Sequence, residues 1–257
     1  MSGKLADLTG PGVLEKLSKD SVVLLPVGAI EQHGPHLPMS VDAVIAEETS
    51  LALLEAVGEE VDLWMLPTFS ISKSNEHAWS PGTLWYSSKT MLSMLDDIAR
   101  CISTTPAKRL VILNGHGGNT ALLAAACRDI RVDHGLLTFL VHPSLPPASG
   151  GTSTEEELGM GIHGGLNETS VFSYLRPGSV IMENAVRRVP EWMSENEWVK
   201  FGGKVQFGWT SRDFGPEGLI GDPTGANPDL GKELFETSVV SLAKQLHEIS
   251  LFEFKDF

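Results

Sequence analysis

The chain has 257 residues, of which 42% are hydrophobic and 20% are charged, and this composition is typical of a globular protein with a sizeable core. Its formal net charge of −14 opposes nonspecific binding to nucleic acid or to an anionic membrane, because both need clustered lysine and arginine. No apolar run approaches the roughly 20 residues of a membrane span, and residues 1–10 show no signal-peptide pattern, so we expect a cytoplasmic protein.

Hydrophobic runs and their spacing predict alternating helices and strands. In chain order these are a helix at 13–19, a strand at 22–27, a helix at 43–57, a strand at 63–66, a helix at 89–101, a strand at 109–113, a helix at 121–132, a strand at 136–141, a helix start at 167–170 and a last helix at 232–250. Long loops are predicted at 28–40, 67–88, 143–157 and 202–231. This alternation predicts an α/β fold, a three-layer α/β/α sandwich with a mostly parallel central sheet. The absence of internal repeats favours a single domain over residues 1–257.

The two cysteines, Cys101 and Cys127, both fall in predicted helices. Their spacing is not that of a metal site, and nothing in the sequence suggests a secreted protein. We therefore expect both to be buried, reduced thiols.

The loop after the strand at 22–27 carries carboxylates and imidazoles in the segment EQHGPHLPMSVD. Glu31 and His33 are two residues apart, and in an extended backbone such residues project to the same side and can converge on one ion. Asp42 caps the following predicted helix, from where it can bridge two cations, and His36 is a further candidate. Imidazole with carboxylate suits Zn²⁺, Mn²⁺ or Fe²⁺, whereas the lack of thiolates argues against a structural zinc site. The alternative is a solvated polar loop.

A second motif, NGHGGNT, follows the strand at 109–113 and places His116 among glycines that permit close approach to a ligand. Both motif loops leave the carboxyl ends of strands, where parallel α/β sheets bind their ligands. A competing interpretation is a phosphate cradle at the start of the next helix. The segment lacks the lysine of a Walker loop and is not GxGxxG, so we treat phosphate binding as secondary.

A third motif, HGGLNETS, contains His163 and Glu168. Two further segments, SNEHAWSPGTL at 74–84 and GLIGDPTGA at 218–226, complete a set of five. Taken in their order along the chain, the five segments resemble the creatininase (creatinine amidohydrolase) family, and they are spread over about residues 24–226.

The resemblance implies a creatininase-like α/β fold, two divalent metal ions per chain, hydrolysis of amides and often a hexameric homo-oligomer. Zinc is the first expectation for the metal, with manganese or iron as alternatives. One ion would be held by Glu31 and His116 and the other by His33, with Asp42 as the bridge.

The chain departs from creatininase proper at Gly118, where that enzyme has a glutamate that binds the second metal. Members that carry NGHGGN supply the carboxylate from the third motif, which here is Glu168. The aromatic residues that hold creatinine in creatininase proper are also absent. We therefore expect a member of the NGHGGN-bearing branch that turns creatinine over poorly.

The remaining site residues receive roles by the same resemblance and by their position. His163 is the candidate general acid/base, with Glu168 acting both as ligand and in catalysis, and His36 would orient a ligand. The predicted substrate-binding residues are Ser74, Glu76, His77, Gly117 and Gly118. A structural histidine is the alternative for His163 and His77.

The predicted function is hydrolysis of an amide-type C–N bond in a small polar molecule, such as a cyclic amide, lactam or formamide, through a metal-activated water. Alternatives within the family are a peptidase and a keto-inositol ring hydrolase, which cleaves a C–C bond. An alternative of another class is a non-catalytic protein that binds metal or a phosphosugar. We expect a small-molecule substrate and neither a nucleic acid nor a membrane as partner.

Overall fold

A central sheet of five parallel strands organises the computed structural model, which describes residues 2–143 and 153–255. The strands are β1 (Gly3–Lys4), β2 (Val22–Val27), β3 (Leu63–Met65), β4 (Arg109–Asn114) and β5 (Leu137–Val141). Their order across the sheet is β1-β3-β2-β4-β5, and every neighbouring pair is parallel. The predicted parallel sheet is confirmed.

In the described parts of the chain, six α-helices connect and cover the strands. They are α1 (Gly10–Lys16), α2 (Val41–Val57), α3 (Ser88–Ser103), α4 (Thr120–His134), α5 (Leu166–Leu175) and α6 (Pro228–Leu251). Side chains alternate between the two faces of each strand. Val22 and Leu24 pack with α2 and α6, whereas Val23 and Leu25 pack with α3 and α4. Helices therefore cover both faces, which confirms the three-layer α/β/α sandwich.

The central strands β2 and β4 are buried along their whole length, as expected of strands covered on both faces. They pair in register from Val22 with Arg109 to Val27 with Asn114. The two strands thus end side by side, and the loops that follow them start next to each other. This pairing brings the first two sequence motifs together.

Helix ends differ from the predictions where a cap and a proline set the start. Helix α1 begins at Gly10, where the Thr9 side chain accepts a hydrogen bond from the Gly12 amide. Helix α6 begins four residues before the predicted 232, with Asn227 as its cap. Proline lies in the first turn of both helices, where its missing N–H costs nothing. The short strand β1 was not predicted.

Asp42 does not cap α2, and that prediction is wrong. The capping position is Ser40, and Asp42 lies inside the first turn of the helix. Its carboxylate faces His33 and His116 instead of the free backbone amides of the helix. The contacts of Asp42 with the two histidines therefore take the place of the expected contact with the helix backbone.

Cys101 is exposed, so the prediction that both thiols are buried is wrong for this residue. Helix α3 buries Met91, Leu95, Ala99 and Ile102, and Cys101 lies off that stripe. Cys127 is half-buried, and both thiols are free.

Most of the predicted loop at 143–157 falls at 144–152, outside the described residues, and its end forms a short 3₁₀ helix, Glu155–Glu157. The predicted loop at 202–231 contains two such helices, Ser211–Phe214 and Pro223–Gly225. Across the described parts of the chain, no helix is both long and apolar enough to cross a membrane. The single domain over residues 1–257 stays a prediction.

Candidate metal centre

All five predicted ligands meet at the carboxyl ends of β2 and β4. Glu31 and His33 lie in the loop after β2, and His116 lies in the loop after β4. Asp42 comes from the first turn of α2, and Glu168 from the first turn of α5. Four of the five are almost fully buried, and Glu168 is partly buried.

Asp42 lies at the centre of the cluster, with one oxygen turned to each side. Its Oδ1 is 3.2 Å from His33 Nε2, and its Oδ2 is 3.0 Å from His116 Nδ1. Beyond them, Glu168 Oε1 lies 3.5 Å from His33 Nε2, and Glu31 Oε1 lies 3.3 Å from His116 Nδ1. This is the arrangement a carboxylate needs to bridge two cations.

Three groups of potential ligand atoms converge among the described residues, each within 4.8 Å. Asp42 is shared by two of them, which divide the predicted ligands between two sides. The groups are Glu31, Asp42 and His116; His33, Asp42 and Glu168; and Glu31, His33 and His163. The structure therefore brings together the residues that the sequence pairs, while their roles as ligands stay a prediction.

Each carboxylate beside Asp42 is anchored through one oxygen and leaves the other for the cluster. Glu31 Oε2 accepts a hydrogen bond from the Ser74 hydroxyl, and Glu168 Oε2 accepts one from the Gly164 amide. The free oxygens, both Oε1, face the histidines. Anchoring of this kind fixes ligand direction.

Three histidines are oriented through backbone carbonyls. His33 Nδ1 lies 3.1 Å from the Glu31 carbonyl, His116 Nε2 lies 3.2 Å from that of Lys73, and His163 Nε2 lies 2.7 Å from that of Gln32. A carbonyl only accepts, so these nitrogens carry the hydrogen. In the neutral ring the other nitrogen then presents a lone pair to the carboxylates.

Lone pairs facing carboxylates need a cation between them. Glu31 Oε1 and Asp42 Oδ2 are buried and have no hydrogen-bond partner among the described residues. Burial raises the pKa of Glu31 to about 7. Burial opposes charge on His33 and His116 too, but the neighbouring carboxylates outweigh it and raise the pKa of each well above its usual value. The cluster thus demands positive charge, and a set of carboxylates and imidazoles fits divalent metal ions.

Gln32 also contacts the site, although the sequence did not predict it. Its Oε1 accepts from the Gly34 amide at 2.8 Å, so its Nε2 points the other way and donates to the Gly218 carbonyl at 2.8 Å. The second Nε2 proton faces His77 Nδ1 at 2.9 Å. The only signal in the sequence is its position between two candidate ligands, which turns its side chain to the opposite side.

His77 and His163 stand on the open side of Glu31. Because Gln32 donates to His77 Nδ1, the hydrogen of His77 is on Nε2, which lies 3.4 Å from Glu31 Oε1. His163 presents Nδ1 to the same oxygen at 3.6 Å. Burial, followed by the charge of His33, lowers the pKa of His163 to about 3. One ring thus offers a donor and the other an acceptor.

The other predicted site residues lie near the cluster, and their polar atoms contact neighbouring side chains. Ser74 bonds Glu31, and Glu76 Oε1 lies 3.2 Å from His116 Nε2. His36 Nε2 lies 2.9 Å from the hydroxyl of Thr169, the neighbour of Glu168, and not against a predicted ligand. Gly117 and Gly118 form a short 3₁₀ helix beside His116. Their roles in binding substrate stay predictions.

Comparison with known proteins gives the family. The sequence model of the creatininase family, described as creatinine amidohydrolase, matches residues 6–246. The mycofactocin precursor peptide peptidase of Mycolicibacterium smegmatis is 30% identical over 228 residues, which cover 88% of this chain and 84% of that protein. The creatinine amidohydrolase of Pseudomonas putida is 31% identical over 189 residues, which cover 66% of this chain and 70% of that protein.

A solved structure agrees with the fold. A mutant creatininase of the Zn–Zn type superposes with a TM-score of 0.73 at 23% identity, over 98% of this chain and 100% of that one. At this identity the likeness speaks for the fold alone. The match of the family model to most of the chain carries the assignment: the chain belongs to the creatininase family of hydrolases.

Proposed function

We propose that this creatininase-family amidohydrolase holds two divalent metal ions per chain and cleaves an amide-type C–N bond in a small polar substrate, such as a cyclic amide, lactam or formamide. The observation that carries the proposal is Asp42, whose two buried oxygens face imidazole nitrogens on opposite sides. A binding protein has no need of two adjacent ion sites that share a carboxylate.

One ion would lie between Glu31, Asp42 and His116, and the other between His33, Asp42 and Glu168. Zinc is our first choice, since creatininase of the Zn–Zn type shares the fold, and manganese or iron would suit the same ligands. Bound there, such ions polarise an amide carbonyl and lower the pKa of a water molecule toward neutrality.

His163 is the proposed general acid/base. Its Nε2 is engaged by the Gln32 carbonyl, so its Nδ1 is the nitrogen available for proton transfer. The ring is neutral at pH 7 because burial lowers its pKa. The proposed role rests on this free nitrogen, from which the ring would accept a proton from the attacking water and return it to the departing nitrogen.

His77 complements His163 as a donor. With Nδ1 held by Gln32, the Nε2–H of His77 points to the edge of the cluster at Glu31. A neutral donor at this place suits the carbonyl oxygen of a substrate, whose negative charge grows as the tetrahedral intermediate forms.

The proposal is tested by metal analysis of protein purified without chelator. We expect about two equivalents of Zn, Mn or Fe per chain in the parent protein. In Asp42→Asn both sites lose the shared charge, so we expect loss of metal and a fall in kcat/KM of more than about 100-fold, the upper end for outer-sphere partners of a metal. Asp97→Asn, which removes a carboxylate on the exposed face of α3, is the matched control. A parent protein without stoichiometric metal would sink the proposal.

A peptidase is the second candidate, because the relative in Mycolicibacterium smegmatis is a peptide peptidase and matches most of the chain. Creatinine, formamides, lactams and short peptides, offered to the Zn²⁺- and Mn²⁺-loaded protein, separate the candidates. We expect creatinine to turn over poorly. Efficient turnover of creatinine would contradict our interpretation of Gly118 and of the missing aromatic residues.

A further inference from the structure

The carboxylate of Glu76 occupies the space that a side chain at position 118 would need. A Cβ built on Gly118 would overlap Glu76 Oε1 and crowd His116 Nε2, at separations well under the 3.0 Å that real Cβ atoms respect. Glu76 is itself buried, so it has little room to move away. The position of the Glu76 carboxylate therefore depends on the absence of a side chain at position 118.

Both oxygens of Glu76 are engaged. Oε1 lies 3.2 Å from His116 Nε2, and Oε2 lies 3.0 Å from Lys73 Nζ. His116 Nε2 also lies 3.2 Å from the Lys73 carbonyl. Both neighbours of this nitrogen are acceptors, so it carries a hydrogen, and Nδ1 is left to face Glu31 and Asp42.

The loop that carries Glu76 is tied to the loop that carries His116. Asn119 Oδ1 accepts from the Lys73 amide at 3.2 Å, and Asn119 Nδ2 donates to Ser72 Oγ at 3.0 Å. Asn119 is fully buried. These hydrogen bonds fix the position of one loop relative to the other, and they therefore also fix the contact between Glu76 and His116.

Glu76 is close to the cluster without belonging to it. Among the described residues, none of the three groups of converging ligand atoms includes Glu76. We infer that Glu76 is a positioning residue: it accepts the Nε2–H of His116, holds the imidazole with Nδ1 toward the ion shared with Glu31 and Asp42, and requires glycine at position 118. This inference rests on the proposed pair of metal sites.

The test measures metal affinity in the full-length protein and needs no substrate. The variants are Glu76→Ala, the near-isosteric Glu76→Gln, Gly118→Ala and the double variant Gly118→Ala/Glu76→Ala. Glu48→Ala is the control, because it removes a half-buried glutamate that pairs with Arg176 and not with His116. Competition with a chromogenic chelator gives two zinc dissociation constants for each protein. The visible spectrum of the Co²⁺-loaded protein reports the ligand field, and circular dichroism reports folding.

We expect Glu76→Ala to weaken one of the two zinc ions about 10- to 100-fold, the range for outer-sphere partners of a ligating histidine, and to shift the cobalt spectrum. Gly118→Ala should reproduce that loss by displacing Glu76, and the double variant should lose no more than either single variant. Glu76→Gln keeps an acceptor oxygen and should recover part of the affinity. Glu48→Ala should bind both ions like the parent.

Two results would overturn this inference and leave the proposed function intact. In the first, the parent binds two zinc ions and Glu76→Ala binds both equally well, with an unchanged cobalt spectrum. In the second, the loss of zinc affinity in the double variant equals the sum of the losses in the two single variants. If an alanine variant fails to fold, Glu76→Met takes its place: it fills a similar space but cannot accept the Nε2–H of His116, so parental zinc affinities and an unchanged cobalt spectrum in that variant would contradict the inference. A parent that binds no ion contradicts the proposed function, and the inference with it.

Discussion

At the scale of single residues, the candidate site depends on which nitrogen of each histidine carries the hydrogen. Backbone carbonyls settle this for His33, His116 and His163, and the amide of Gln32 settles it for His77. Gln32 serves the site twice, because its own carbonyl holds His163 and its side chain holds His77. Its amide orientation is fixed by one unambiguous donor, the Gly34 amide, and one unambiguous acceptor, the Gly218 carbonyl.

Replacing Gln32 by methionine, which has a similar shape but cannot replace its hydrogen bonds, leaves the Gly34 amide and the Gly218 carbonyl without their partner. A buried polar group that loses its partner costs about 1–3 kcal/mol. We therefore expect Gln32→Met to lower the free energy of unfolding in urea by that amount for each group, and to lower kcat as His77 loses its orientation. Gln206→Met, at an exposed position, should stay within about 0.5 kcal/mol of the parent. Equal stability of the two variants would contradict this account of Gln32.

At the scale of elements, the site lies between the loops that follow the central strands and the helix pair α5 and α6. The loops after β2 and β4 bring Glu31, His33 and His116, whereas Glu168 arrives on α5, which packs against α6. The crossing of α5 and α6 is close because Gly231 on α6 lies against the Ser170 carbonyl on α5, only two residues from Glu168. The position of this carboxylate therefore depends on a contact between two helices.

Gly231→Ala should separate these helices, since the added Cβ would overlap the Ser170 carbonyl. Alanine favours a helix by about 1 kcal/mol over glycine, whereas overpacking costs about 1–3 kcal/mol. We expect the steric cost to win, with a lower free energy of unfolding and weaker binding of the metal ion that we propose Glu168 holds. Gly208→Ala is the control, because its Cβ would have no described atom within 4 Å. A stabilised Gly231→Ala protein would show that the crossing has room to adjust.

At the scale of the whole molecule, one buried carboxylate, Glu157, connects segments that are far apart in the chain. It accepts hydrogen bonds from the amides of Leu166, at 3.1 Å, and Asp222, at 2.7 Å. Side chains on Gly161 and Gly165 would collide with it. The 3₁₀ helix of Glu157, the start of α5 and the segment before α6 therefore meet at this group. Assembly into a homo-oligomer, a hexamer by family resemblance, stays a prediction.

Burial raises the pKa of Glu157, and this has a consequence for stability against pH. The folded protein favours the protonated form, so the contribution of Glu157 is fully present below the ordinary glutamate pKa of about 4.3 and is lost as the pH rises through the raised pKa. Glu157→Gln does not titrate. In metal-free protein, the stability of the parent relative to this variant should fall as the pH rises from about 4 toward neutrality, measured by urea denaturation at each pH. A difference that is flat or grows with pH would contradict the shift.

Much of the fold and the residue types of the site follow from local sequence. The strands at β2, β4 and β5 lie within one residue of the predicted bounds, because continuous buried runs leave a local mark. The five ligand candidates lie in motifs at strand and helix ends, where their chemistry is visible without a structure. The two wrong predictions, the cap of α2 and the burial of Cys101, concern features that depend on which groups pack against each helix.

The amino-acid sequence alone predicts the family, the alternation of strands and helices, and the set of carboxylates and imidazoles. The way in which these side chains meet depends on the three-dimensional fold. It put β2 beside β4, turned the two oxygens of Asp42 to opposite sides, and placed Glu76 in the space beside Gly118. The hydrogen bond from Gln32 to Gly218 spans 186 residues. Contacts of this range depend on the order of the strands and the crossing of the helices, and no spacing within a motif encodes them.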